Sequence, residues 1–484
     1  MSYDTILEIG KRRGIVYPSF EIYGGLAGFI DYGPVGSRIK NNLQEVLRRQ
    51  YIVSEGCMEV ECPTVSPEPV WVASGHVKSF ADITTECLKC GEPYRADHLV
   101  AQKANIRTEG MSISDLAKAI DEYRITCPKC GGKLENPYTF NLMFQTHVGP
   151  GRNKVTAYLR PETAQTTYLP FKRLFETARR KLPFGVLQIG RSYRNEISPR
   201  QVMIRLREFL QAEIQYFLDP ATKNDPVNLP QEAKKNISIR TKKDDVVEKT
   251  IEQALNEGII TCPLIAYHLA LALRFFTDVG IDPSKLSLRQ HRDDERAFYS
   301  SDTWDVEYLS PSIGRIELVG ISDRGDYDLT QHINVSKQDL SVNIDGRKFV
   351  PHVLEVAYGV DRPIYCLLES CLRPADKEGR DYEWFAFPPA VAPYRAGVFA
   401  LQKKDNLPEK AREVFELLKN AGLYVYSDES GSIGRRYARA DEIGVPYAVT
   451  IDYDSLKDGT VTVRDRDTKQ QRRVSISELP ALLK

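Results

Sequence analysis

The sequence predicts an α+β protein built from two folded units, and three observations carry that prediction. Apolar and polar residues alternate along REFLQAEIQYFLDP (207–220), the pattern of a long strand with one face toward a core. Strand signals return at 303–309, 315–321 and 327–334. After the polar stretch PADKEGRDYE (374–383) the pattern becomes alternating helix and strand, marking a separate α/β domain from about 388 to 484.

The elements follow in order. After the turn DYGPVG (31–36), Ile39, Leu43, Val46, Leu47 and Tyr51 recur at helical spacing, and the short apolar stretch GCMEVECP then stops at Pro63, which cannot donate to a sheet ladder. Residues 84–140 read as an insertion with cysteine pairs near its ends. From 155 to 219 helix and strand signals alternate. Residues 220–258 are polar and lysine-rich, which predicts a second, surface-facing insertion with weak order. A helix is expected from about 359 to 373. In the last domain Ala411, Val414, Phe415 and Leu418 mark an amphipathic helix closed by Gly422, followed by the strand-like LYVYS.

Composition narrows the function classes. With 484 residues the chain is long enough for about two to four domains. Hydrophobic residues at 42% and charged residues at 27% exclude wholesale disorder. Lys+Arg and Asp+Glu are 66 each, so the net charge is zero and any nucleic-acid binding must come from local basic patches. No run of 18 apolar residues predicts a membrane span, and MSYDTILEIGKRRG lacks the apolar core of a signal peptide. Nine cysteines, four of them in Cys-x-x-Cys pairs, point to a reducing, cytoplasmic location and a metal site.

Three segments carry chemistry. Cys87-x-x-Cys90 and Cys127-x-x-Cys130 are each followed by glycine, which permits the tight turn that aims two thiolates at one tetrahedral ion. Four cysteines leave no open coordination position, so structural zinc is the expectation. In the segment 182–217, Arg194 and Glu196 lie two apart and are expected on one strand face. Phe209, Gln211, Glu213 and Gln215 share one face of the following strand, opposite Leu210, Ala212, Ile214 and Tyr216. That hairpin is either half-buried with its polar face in water or a sheet floor presenting charges to a ligand. In FVPHVLEVAYGVDRPIYCLLES (349–370) a strand carrying Glu355 turns through Gly359 into a helix. Arg362 sits in the first turn of that helix, where a bound phosphate would give it a reason to be.

These residues resemble glycyl-tRNA synthetases of the dimeric archaeal and eukaryotic type, within class II. The resemblance runs through DYGPVG, Pro63, YRAD (94–97), RPETAQ (160–165) and LPFG…RNEISPR (182–200). It continues through LREF…AEI, ISDRGDYDL (321–329), GVDR (359–362) and the SIGRRYAR segment of the last domain. It implies a class II catalytic domain over 1–385, with a zinc-binding insertion at 84–140 and a second insertion at 220–300, and an anticodon-binding domain over 388–484. The implied reaction joins glycine to tRNA(Gly) through a glycyl-adenylate, converting ATP, with Mg2+ as its counter-ion, to AMP and pyrophosphate; the implied assembly is a homodimer. Arg435, Arg436 and Arg439 are the implied tRNA contacts, with Lys11–Arg13 and Arg464–Arg473 as weaker ones.

The same resemblance assigns roles. Arg194, Glu196 and Arg362 are the implied catalytic set: Arg194 on the α-phosphate and amino-acid carboxylate, Glu196 on the adenine amino group, Arg362 on the γ-phosphate. Phe209 is implied to stack on adenine. ATP contacts are implied for Asn195, for Ile204, Arg205, Leu206, Arg207 and Glu208, for Glu317 (with magnesium) and Leu318, and for Gly359, Val360 and Asp361. Glu162, Glu213 and Glu355 are implied to hold the glycine ammonium. Arg95, Leu210, Gln211, Ala212, Arg324, Val356, Ala357 and Tyr358 are further implied substrate contacts. Three positions depart from the family pattern: Thr166 replaces its usual glycine, and Val356 and Ala357 replace its usual proline and serine.

Overall fold

The computed structural model describes residues 3–108, 110–199, 202–296, 300–376 and 379–484. Arg200, which ends one of the motifs above, lies outside them.

The chain opens with helix α1 (Tyr3–Arg12) and helix α2 (Pro34–Arg48). Proline in the first turn starts α2 at no hydrogen-bond cost, and Ile39, Leu43 and Leu47 form its fully buried stripe. Gly36 must be glycine, because a Cβ there would overlap the Ile15 carbonyl. Strand β1 (Met58–Val60) follows. The insertion then forms its own small body. Strands 81–86, 93–95 and 138–141 pair antiparallel, and helices α3 (Ala96–Ala104) and α4 (Ile113–Glu122) bury Leu99, Val100, Leu116 and Ile120 beside the cysteines.

Eight more strands complete a nine-stranded sheet. They are β2 (Phe184–Tyr193), β3 (Glu208–Leu218), β4 (Asn236–Arg240), β5 (Val246–Thr250), β6 (Leu286–Gln290), β7 (Asp302–Ser310), β8 (Gly314–Gly325) and β9 (His352–Gly359). Their order is β5-β4-β6-β7-β8-β9-β3-β2-β1, antiparallel except for the β1–β2 and β4–β6 pairs. One face of its centre carries Ala212, Ile214, Val319, Ile321, Leu354, Val356 and Tyr358 into the main core. Helix α5 (Pro263–Asp278) is apolar nearly all round and packs there, as does helix α7 (Asp361–Cys371).

Two expectations are corrected. Residues 220–258 are ordered: β4 and β5 extend the main sheet, and a Thr250–Gln253 capping box starts the helix at 251–256. Ile237, Ile239, Ile251 and Ala254 are buried while Lys234, Lys235, Lys242 and Lys243 are exposed, so a one-sided surface reads as a lack of order. Residues 327–334 are not a strand but belong to helix α6 (Tyr327–Ser336). Asp328, Leu329 and His332 are its buried residues, a helical spacing rather than period two.

The C-terminal domain has five strands: β10 (Ala396–Ala400), β11 (Val425–Ser427), β12 (Tyr447–Ile451), β13 (Thr460–Asp465) and β14 (Gln471–Ser475). Their order is β11-β10-β12-β13-β14, with helices α8 (Leu407–Asn420) and α9 (Ile433–Glu442) as crossovers. The Arg13–Glu442 ion pair, an Asn42 amide donating to the Ala392 carbonyl, and Arg38 stacked on Tyr424 join this domain to the N-terminal helices.

Candidate active site

The second face of the sheet centre is the floor of a cavity of about 410 Å³. Register fixes which side chains meet there. Glu213, Ala357, Gly320 and Asp305 form one row across β3, β9, β8 and β7, each opposite the next. Gln215, Glu355, Ser322 and Thr303 form the adjacent row. Alternation puts Val356, Tyr358 and Ala212 on the core side. Two small residues between Glu213 and Asp305 leave the depression open; a Cβ on Gly320 would meet nothing nearer than 3.8 Å.

One end of the cavity is acidic and almost wholly buried. Glu213 accepts a hydrogen bond from Thr163 at 2.7 Å and one from Gln211 at 2.8 Å. Glu355 accepts from Gln215 at 3.1 Å and pairs with Arg324, which lies beneath it and also grips Asp328 at 2.7 Å. Glu162 faces His76 at 3.5 Å and accepts from Gln165 at 3.0 Å. Burial, then the charges of Glu355 and Glu162, push Glu213 up to about 8. Burial raises Glu355 as well, against the pull of Arg324. Glu162 moves the other way: although burial opposes it, His76 and then Arg324 hold it well below the usual carboxylate range. A cation placed among the three carboxylates would favour their charged forms.

The other end is cationic. Arg194 donates to the Pro161 carbonyl and lies 5.2 Å from the Phe209 ring. Arg362 donates to the Ile204 carbonyl at 3.1 Å and to the Glu317 carboxylate at 3.2 Å, which lowers Glu317 despite its desolvation. Arg205 stands 3.8 Å from Glu196. Ile204, Arg205, Glu317 and Arg362 also border a second cavity of about 700 Å³, whose far wall is Arg95, His98 and Lys103 of the cysteine-bearing insertion.

The comparisons with known proteins bear on this geometry. Residues 138–371 match the profile described as tRNA synthetase class II core domain (G, H, P, S and T), and residues 395–484 match the anticodon binding domain. A glycine–tRNA ligase of Methanocaldococcus jannaschii is 42% identical, the match covering 100% of this chain and 98% of that protein. Those of Thermococcus sibiricus (41%, covering 100% and 98%) and Methanothrix thermoacetophila (40%, covering 98% and 95%) are similarly related. The chain belongs to the glycine–tRNA ligase family.

Its architecture is that of the class II core with an anticodon-binding domain, and the implied site residues of this glycine–tRNA ligase family member divide by position. Arg194, Glu196, Arg205, Leu206, Phe209, Leu210, Gln211, Glu162, Glu213, Glu317, Leu318, Glu355, Ala357, Gly359, Asp361 and Arg362 border the cavity. Ala212, Val356, Tyr358 and Val360 are turned into the core, so only their backbone is near a ligand. Arg207 is not at the cavity; it donates to the Glu196 and Ala27 carbonyls and so shapes the loop that carries Arg205. Glu208 pairs with Arg191, and the Asn195 amide N–H donates to the Leu142 carbonyl. Arg324 lies under the glutamates, and Arg95 pairs with Asp82 and Asp97 at the second cavity. Arg194 and Glu196 follow β2 rather than lying on it, and the chain turn beyond Tyr193 brings both to the cavity.

Sequence reasoning missed His76, Asp305, His291, Thr303 and Ser322. Asp305 is held by His291 at 2.6 Å and is pushed up to about 6, first by burial and then, against the His291 bond, by Glu317. Thr303 and Asp305 alternate along TWDVEYL, the same signal that exposed Glu213. His76 has no comparable signal, because the short helix it opens (His76–Ser79) meets Glu162 only through tertiary structure.

The four cysteine sulfurs lie within 4.8 Å of one another. Cys87–Cys130 at 3.5 Å and Cys90–Cys127 at 3.7 Å match the edge of a tetrahedron with metal–sulfur bonds of about 2.3 Å, about 3.8 Å. Gly91 and Gly131 take φ of 68° and 69°, and their amides close each turn onto the Cys87 and Cys127 carbonyls. The donor set fits zinc. Of the helix arginines in the last domain, Arg436 is buried and donates to the Ala400 carbonyl, Arg439 pairs with Asp428, and Arg435 is exposed.

Proposed function

We propose that this chain joins glycine to tRNA(Gly) by way of a glycyl-adenylate, consuming ATP. The observation that carries the reading is the polarity of one cavity, with three carboxylates at one end and Arg194 and Arg362 at the other. The glycine ammonium sits among Glu162, Glu213 and Glu355, which turns its carboxylate toward Arg194. That carboxylate attacks the α-phosphate and pyrophosphate leaves past Arg205 and Arg362. Both reactants are anions, so fixed guanidinium groups supply most of the rate enhancement, and no protein base is required. Glu317 with neighbouring Asp305 would hold the magnesium that accompanies ATP, where it would neutralise phosphate charge. Zinc on the four cysteines supplies structure, fixing β-strand 93–95 and hence Arg95.

The acceptor end of tRNA enters by the second cavity, where Arg95, Lys103 and Arg315 face the Arg362 side. The anticodon meets the C-terminal domain. A homodimer forms through the N-terminal region around residues 36–63, supported by the exposed apolar loop of Phe20, Ile22, Tyr23 and Leu26. The reduced cysteines fit a cytoplasmic enzyme. Among the described residues no helix is long and apolar enough to cross a membrane. Glycine-dependent ATP–pyrophosphate exchange by the purified protein, followed by charging of tRNA(Gly), tests the reading. Absence of exchange with glycine, or equal exchange with alanine, would reject it.

A further inference from the structure

We infer that the Ser322 hydroxyl is a specificity-determining contact for the substrate ammonium, presented as a pure acceptor because its proton is committed to a chain of hydroxyls behind it. The inference rests on this cavity being the glycine site.

Ser322 lies on the cavity floor directly opposite Glu355 in the β8–β9 register, one row from Ala357. Ala357 offers the ligand no polar atom. Ser322 is the residue beside it that does. Its Oγ is 3.1 Å from Thr303 Oγ1, which is 2.9 Å from Ser300 Oγ, and all three residues are buried.

Counting protons gives the chain one direction. Each hydroxyl has a single hydrogen to donate. Ser300 Oγ lies 2.8 Å from the Asp302 carbonyl and 3.2 Å from the Asp323 carbonyl, and a carbonyl only accepts. The Ser300 proton therefore goes to a carbonyl. The 2.9 Å contact to Thr303 then holds only if Thr303 donates to Ser300, since two oxygens at that distance with no hydrogen between them repel. By the same step Ser322 must donate to Thr303. Ser322 is left with lone pairs toward the cavity and no proton to offer it.

Such an atom accepts from an ammonium and refuses a carboxylate. It also suits the charge balance of the floor. An ammonium has three N–H donors, and burial together with the charges of Glu355 and Glu162 already raises the Glu213 carboxyl. A neutral acceptor satisfies one N–H without adding a further charge to that cluster. The polarity of the relay thus orients glycine, ammonium toward β8 and carboxylate toward Arg194.

The test is pyrophosphate exchange with glycine and ATP titrated separately, alongside thermal melting of each variant. Ser322→Ala is expected to raise the glycine KM by about 10- to 100-fold, the loss of one hydrogen bond to a charged group. The ATP KM and the melting temperature should stay near those of the parent. Thr303→Val, which frees the Ser322 proton to point into the cavity, should raise the glycine KM in the same direction, while Thr303→Ser, which keeps the relay, should not. Adding Ala357→Ser to Ser322→Ala should recover much of the lost glycine affinity. A glycine KM within twofold of the parent in Ser322→Ala would overturn the inference. So would a rise in both KM values together with a lower melting temperature, which would make the hydroxyls a packing device. Exchange by the parent with glycine separates failure of this inference from failure of the assigned reaction.

Discussion

Glu213 should carry a proton in the empty enzyme and give it up when glycine binds. Its carboxyl is raised from an ordinary 4.5 to about 8 by burial and by Glu355 and Glu162. At roughly 1.4 kcal/mol per unit, ionising it in the empty pocket costs about 5 kcal/mol. An ammonium among the glutamates offsets the burial and the neighbouring charges that raise the group, so the proton must leave. At pH 7 about nine-tenths of the free enzyme is protonated there, and at pH 8 about half, so glycine affinity should rise about fivefold across that unit. Calorimetric titration with glycine in buffers of different ionisation enthalpy should report release of nearly one proton at pH 7. Glu213→Gln should remove both the release and the slope, at the cost of weaker binding. A raised carboxyl also holds in the fold a proton that the unfolded chain releases above about 4.5, so the ligand-free protein loses this stability as pH climbs through about 8. Glu213→Gln should flatten that loss. Glycine binding with no proton release and a KM flat from pH 7 to 8 would refute the reasoning.

Arg362→Ala should lower adenylate formation by about 100- to 1000-fold in pyrophosphate exchange while leaving the fold intact, because it removes a cation fixed by Ile204 and Glu317 at the phosphate end. Protein purified without added metal should contain one zinc per chain, and Cys127→Ser should lose it and melt at lower temperature; metal-free protein with an unchanged melting curve would remove the site. Asp441→Asn should destabilise the C-terminal domain by about 3–5 kcal/mol in denaturant unfolding, since Arg464, bound bidentately at 3.0 Å, and Arg380 would both be left buried without their carboxylate.

What the sequence revealed and what it hid follow from the range of the interactions. Strand β3 was legible because Phe209, Gln211 and Glu213 alternate with core residues over a length that only a strand can use, and the four cysteines because their spacing is local. Arg194 and Glu196 owe their roles to the family resemblance, and their spacing predicts a shared strand face. That prediction fails, and it is the departure of the chain from β2 that brings them to the cavity. Helix α5 escaped notice because it is buried on most sides and shows no stripe. Helix α6 was mistaken for a strand because its polar residues Asp328 and His332 are the buried ones, held by Arg324 and Gln165. Arg207 looked like a phosphate ligand from its neighbours in the chain, yet its partners Ala27 and Glu196 are backbone carbonyls, and Ala27 is 180 residues away in the chain.

The row from Glu213 to Asp305 carries one methyl group and one hydrogen between its two carboxylates. A cavity walled by side chains can be widened by truncating them or by changing their rotamers. This one is bottomed by main chain at Ala357 and Gly320, and no substitution takes away more at Gly320 than is already absent. Mutation at these two positions can only fill the space, or at most remove a methyl group. Enlarging the substrate range would require strands β8 and β9 to separate, which their shared ladder and the packed core behind it resist. On the proposed placement of glycine, the gauge that measures the amino acid is the spacing of the sheet itself, a dimension that drifts far less under mutation than the shape of any side chain.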